Sequence, residues 1–110
     1  MRILYDSLVE LELNDGHALH TRQLCEVLAE QGNAIDLVCP RNKYTPISSN
    51  LSIVPCRFFG YSKPRLHAYR ILLSRVLERQ IAAHRPDVIV HKLSQSLPTV
   101  VSLARRTGVP

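Results

Sequence analysis

Apolar residues in this chain fall into two rhythms, short continuous runs and longer stretches with helical spacing, and the two alternate from end to end. Arg2 to Asp6 (Arg-Ile-Leu-Tyr-Asp) reads as a short buried strand, and the loop after it is closed by Asn14, Asp15 and Gly16, which are turn and N-cap residues. From His17 to Gln31 the apolar positions Leu24, Val27 and Leu28 recur at helical spacing, with Ala18 and Leu19 joining earlier. Gly32 stops that helix in the C′ position, where a left-handed backbone is favoured. Ala34 to Cys39 predicts a second strand ended by Pro40, and the polar stretch Arg41 to Asn50, with Pro46 inside it, predicts a surface loop. Leu51 to Val54 is a brief third strand before Pro55, and Arg57 to Pro64 is an irregular stretch with Gly60 and Pro64 as breakers.

The longest helix is expected over Arg65 to His84. Leu66, Tyr69, Leu72, Leu73, Val76, Leu77 and Ile81 form its apolar stripe, and Arg70, Arg75, Glu78 and Arg79 lie off it. Pro86 ends this helix, and Asp87 introduces Val88-Ile89-Val90, a continuous apolar run typical of a central parallel strand. Pro98, in a first helical turn, opens a last helix through Arg106 that Gly108 caps. The order β-α-β-β-α-β-α predicts an α/β fold: a Rossmann-like, mostly parallel sheet with helices on both faces. A sheet of this type usually has further strands. Val109-Pro110 falls where the next one would start, so the sheet is expected to be incomplete and the chain truncated.

Composition narrows the class without choosing a chemistry. With 110 residues, 45% hydrophobic and 21% charged, the chain fits one ordinary domain with a modest core. No apolar run approaches the ~20 residues needed to cross a bilayer. Met1 leads straight into a strand and Asp6 follows too soon for a signal peptide, so a cytoplasmic location is expected. Cys25, Cys39 and Cys56 are far apart and form no CxxC pair, which predicts buried thiols in a reducing compartment. The net charge of +5 favours anionic partners: nucleotides, phospholipid surfaces, acidic sugars or nucleic acid. Two Phe, four Tyr and no Trp give poor support to a stacking platform for single strands.

In open parallel sheets ligands gather at the carboxyl ends of the strands, where loops enter helices. Two such places stand out, Asp15 to His20 at the start of the first helix and His91 to Ser96 after the fourth strand, and both are expected along one edge. At the first, free amides and the positive helix end suit an anionic or hydroxyl-rich ligand, and Gly16 permits close approach. Simple capping by Asn14, Asp15 and Gly16 explains the same residues. His17 and His20 are one turn apart, but no third ligand accompanies them, so no metal is expected. At the second place, His91 could bond a sugar hydroxyl and Lys92 a phosphate or carboxylate, whereas a solvated loop capping the last helix through Ser94 or Ser96 is the plainer reading. Lys63, Arg65, Arg70, Arg75, Arg79 and Arg85 cluster on or beside the long helix, either as a solvated face or as a contact with anionic lipid. Dinucleotide, P-loop and nucleophile-elbow motifs are all missing.

Two segments carry a family resemblance. One is Gly16 to Ile35, with a glycine loop, His20 on the first helical turn, a Leu/Ala-rich helix and a glycine before the second strand. The other joins Arg85-Pro86-Asp87-Val88-Ile89-Val90-His91 to Leu103-Ala104-Arg105-Arg106-Thr107-Gly108-Val109-Pro110. Together they resemble the family-4-like N-terminal domain of glycosyltransferases with the GT-B fold. Departures are Asp15-Gly16 where members have two glycines, and Asn33 where they have His. The resemblance implies transfer of a sugar from a nucleotide-sugar donor to an acceptor, a glycan, lipid or small molecule, in a cleft between two Rossmann-like domains. No metal or other cofactor is implied, and nucleic acid is not an expected partner. Gly16 and His17 would line the cleft by the donor phosphates, and His20, His91, Lys92 and Ser94 the acceptor side. The donor-binding domain lies outside this chain, which alone is expected to be inactive. A stand-alone flavodoxin-like binding module is the competing expectation.

Overall fold

The computed structural model describes residues 1–8, 16–40, 43–58, 62–91 and 97–110, with the side chains of all but 17 and 97–99. Seven elements follow in order among them: β1 (Arg2–Asp6), α1 (Gly16–Glu30), β2 (Ala34–Cys39), β3 (Leu51–Pro55), α2 (Lys63–Ala83), β4 (Val88–His91) and α3 (Leu97–Thr107). The strands form one sheet in the order β3-β2-β1-β4, and every neighbouring pair is parallel. Registers are regular: Leu4 lies between Asp36 and Ile89, and Asp6 between Val38 and His91.

Side chains alternate across a strand, and this divides the core in two. Ile3 and Tyr5 join Ile35, Leu37 and Leu51 beneath α1, where Cys25 and Ala29 meet them. Leu4 and Val38 lie on the opposite face under α2 and α3, packed by Tyr69, Leu73, Leu77, Ile81, Val100 and Leu103. The apolar stripe expected along the long helix is the one it buries. The first helix differs from expectation. Ala18, Thr21, Cys25 and Ala29 are its buried row, while Val27 is 49% and Leu19 43% exposed, and Leu24 and Leu28 are half-buried. Small side chains at i, i+3 and i+4 spacing let the helix lie close on the sheet, and the larger aliphatics flank the contact.

Helix ends follow the local sequence. Gly32 (φ 93°) and Gly108 (φ 74°) both adopt the left-handed backbone that closes α1 and α3. Asn33 adds to the first of these ends, its Nδ2 donating to the Leu28 carbonyl at 2.9 Å. Pro64 proves to be a helix starter and not a breaker. It sits in the first turn of α2, where no amide is lost, behind the extended N-cap Ser62.

Parallel β2 and β3 need a crossover, and a segment without a helix supplies it. Glu26 of α1 anchors this segment, accepting from the amides of Ile47 at 3.1 Å and Ser48 at 3.2 Å. Asn50 Nδ2 donates to the Ala29 carbonyl at 3.2 Å, and the guanidinium of Arg22 lies over the Tyr44 ring. At the outer side of the sheet, the Ile89 amide donates to the Pro110 carbonyl at 2.9 Å, so the chain leaving α3 already runs beside β4.

Candidate functional site

The strand order changes direction at β1. From there the chain steps outward through β2 to β3, then returns across to β4 on the other side. The helices follow this reversal, α1 on one face and α2 with α3 on the other. The helices that follow β1 and β4, α1 and α3, therefore lie on opposite faces. The crevice between them, beyond the carboxyl ends, is the usual ligand position in such sheets.

Asp6 and His91 are the last residues of β1 and β4, and they are register partners. His91 Nδ1 lies 2.5 Å from Asp6 Oδ2, with the two side chains 6% and 1% exposed. A carboxylate only accepts, so the imidazole donates through Nδ1, and this bond fixes the orientation of the ring. Asp6 faces the α2 side of the sheet. There Cys56 and Tyr69 are held in their neutral forms, the thiol pushed up to about 12, by burial first and then by the charge of Asp6. Ser7 continues β1 by one residue, its amide donating to the Val38 carbonyl at 3.0 Å. Its hydroxyl is fully buried and has no partner among the described residues. The opposite end of the sheet is tied structurally: Arg2 pairs with Asp36 at 3.0 Å, and its amide donates to Asp87 at 2.8 Å.

Gly16 opens α1 and is exposed, and no atom of the described residues lies within 4 Å of where a Cβ would sit. The fold itself therefore does not demand glycine at this position. His20 is exposed one turn along, and no hydrogen bond or ion pair among the described residues joins it to Asp6 or His91. His91, expected just after the strand, is instead its final residue, and its ring is buried against Asp6 and not open to solvent. The side chain of His17 and the whole of Lys92 and Ser94 lie outside the described residues. No three His, Cys, Asp or Glu side chains among the described residues converge as a metal-ligand set.

Asp6 and Ser7 escaped the sequence reading. A signal for Asp6 was present, an acidic residue ending an apolar strand, but its partner is 85 residues away. Beside β4 and α3 runs a groove of about 460 Å³, lined by Ile89, His91, Val100, Val101, Ala104 and Arg105 together with the exit segment to Pro110.

Comparison with solved structures places this architecture among known folds. Sucrose-phosphate synthase of Thermosynechococcus elongatus superposes with a TM-score of 0.75 at 14% identity, over 96% of this chain and 30% of that one. MurG of Acinetobacter baumannii gives 0.60 at 11% identity, over 99% and 33%. L-amino acid ligase of Bacillus licheniformis gives 0.63 at 11% identity, over 99% and 24%. The chain thus spans about a third or less of each, and identities this low establish the fold alone. A comparison with curated proteins finds no match. The sequence model of Glycosyltransferase Family 4, however, matches residues 14–110, which contain both segments of the resemblance. With nearly its whole length matched, the chain belongs to Glycosyltransferase Family 4.

Proposed function

We propose that the chain is the N-terminal, acceptor-side portion of a hexosyltransferase that moves a sugar from a nucleotide-sugar donor to a glycan, lipid or small-molecule acceptor. The observation that carries this reading is the switch point between β1 and β4, where the Asp6–His91 pair lies at the carboxyl edge from which the chain enters α1. In this reading Gly16 and His17 line the cleft by the donor phosphates, served by the positive end of α1. His91, held by Asp6, serves the acceptor side, and the same role is assigned to His20, Lys92 and Ser94. The donor half of the cleft belongs to a second nucleotide-binding domain in a longer chain, and these 110 residues alone are inactive. No metal or other cofactor takes part. The protein works in the cytoplasm, peripherally at an anionic membrane. The charge of +5 supports that position, and no helix among the described residues is long and apolar enough to cross a bilayer.

The test is turnover. Within a longer chain carrying a second such domain, these residues are expected to release nucleoside diphosphate from a nucleotide-sugar when acceptor is present, and to continue after dialysis against a chelator. The 110-residue chain is expected to give none; turnover by it alone would contradict the reading. Gly16→Ala separates site from scaffold. Nothing among the described residues meets the new methyl, so the melting temperature is expected to hold while nucleotide-sugar turnover falls.

A further inference from the structure

The outward side of α2 carries positive charge that no acidic group among the described residues neutralises. Lys63, His67, Ile71, Arg75 and Arg79 follow one another at four-residue steps, and all five are exposed. Such steps form one ridge of a helix that winds about 40° around the axis per step, which sets Ile71, Arg75 and Arg79 together opposite the buried row and leaves Lys63 well to one side of them. Arg65 is exposed near the start of the ridge. Glu78 is the sole acid in α2, and Arg106 occupies it at 2.6 Å. No ion pair among the described residues engages Lys63, Arg65, Arg75 or Arg79. Midway along the ridge Ile71 is 46% exposed, although Tyr69, Leu73, Leu77 and Ile81 already satisfy the core side of the helix.

We propose that the side of α2 opposite its buried row docks the chain on an anionic lipid surface, with Arg65, Arg75 and Arg79 at the headgroups and Ile71 inserted beside them. The inference rests on the peripheral-membrane part of the function proposed above and names the surface responsible. Long basic side chains suit the role because their stems lie along the interface while their heads stay at the phosphates. Ile71 distinguishes a bilayer from a nucleic acid. An apolar side chain amid the charges gains by entering the acyl boundary and gains nothing against a phosphate backbone, and the ridge presents no aromatic ring for base stacking.

Sedimentation with vesicles of phosphatidylcholine, with and without phosphatidylserine, tests the assignment. The chain is expected to bind only the phosphatidylserine vesicles and to be released by salt. R75Q/R79Q is expected to weaken binding on the order of twentyfold, each charge contributing about fivefold. The charge-matched R105Q/R106Q on α3 is expected to change it far less. Ile71→Ser is expected to weaken binding several-fold without altering the salt dependence. Melting curves confirm that each variant is folded. If the unaltered chain ignores phosphatidylserine vesicles, the membrane position itself falls. If it binds, but R105Q/R106Q weakens binding as much as R75Q/R79Q, the membrane position stands and the assignment to α2 falls. Tighter binding to duplex DNA than to vesicles, indifferent to Ile71→Ser, would overturn the lipid in favour of nucleic acid. None of these readouts depends on sugar transfer.

Discussion

At the scale of single residues, the Asp6–His91 pair holds the two central strands together at the edge where a ligand would arrive. Removing one member of a buried pair leaves the other without its partner. Asp6→Ala leaves the buried imidazole N–H without its acceptor and is therefore expected to cost about 1–3 kcal/mol, read as a lower urea midpoint. The buried thiols make a different prediction. Burial first, then the charges of Cys39 and Glu26, pushes Cys25 up to about 12, and Cys56 is also raised to about 12. Each is an acid whose folded pKa exceeds the unfolded value of 9.0. Above that value the unfolded chain loses protons that the folded chain keeps. Stability is whole below pH 9 and is expected to fall by about 1.4 kcal/mol per thiol per pH unit as pH rises toward 12. Urea midpoints measured across that window check this. Burial of the cysteines was legible in their apolar surroundings. The role of Asp6 was not, because a carboxylate ending a strand looks the same whether it meets water or a histidine from a distant strand.

Among the elements, α1 shows where periodicity misleads. Leu24, Val27 and Leu28 are the bulky apolar residues, yet contact with a sheet selects for close approach, which Ala18, Cys25 and Ala29 provide. Ala29→Leu is accordingly expected to destabilise by about 1–3 kcal/mol, whereas Val27→Ser should stay within about 0.5 kcal/mol; thermal melts distinguish the two. The helix also organises the β2–β3 crossover through Glu26. Glu26→Gln keeps one accepting oxygen of two, so the Ile47 and Ser48 amides are expected to exchange hydrogen faster, with a loss of about 1–2 kcal/mol. By contrast the buried face of α2 was legible, though not its start at Pro64, because one long apolar stripe on a 21-residue helix leaves little freedom in which face is buried.

For the whole molecule, composition and element order foretold an α/β layer structure, but not that β4 would lie beside β1. Strand order depends on contacts between distant segments, and local pattern carries no record of them. The crevice at the β1/β4 switch point, and with it the candidate site, follows from that order. The segment from Gly108 to Pro110 has a further consequence. A hydrogen-bonded rung between Pro110 and Ile89 sets the phase of any strand lying along the outside of β4. Side chains in a strand change face at every residue, so a slip by one would turn its whole apolar set the wrong way. Val109 is buried on the α3 side and Pro110 is exposed, so the register that forms the rung is also the one that turns the valine into the core.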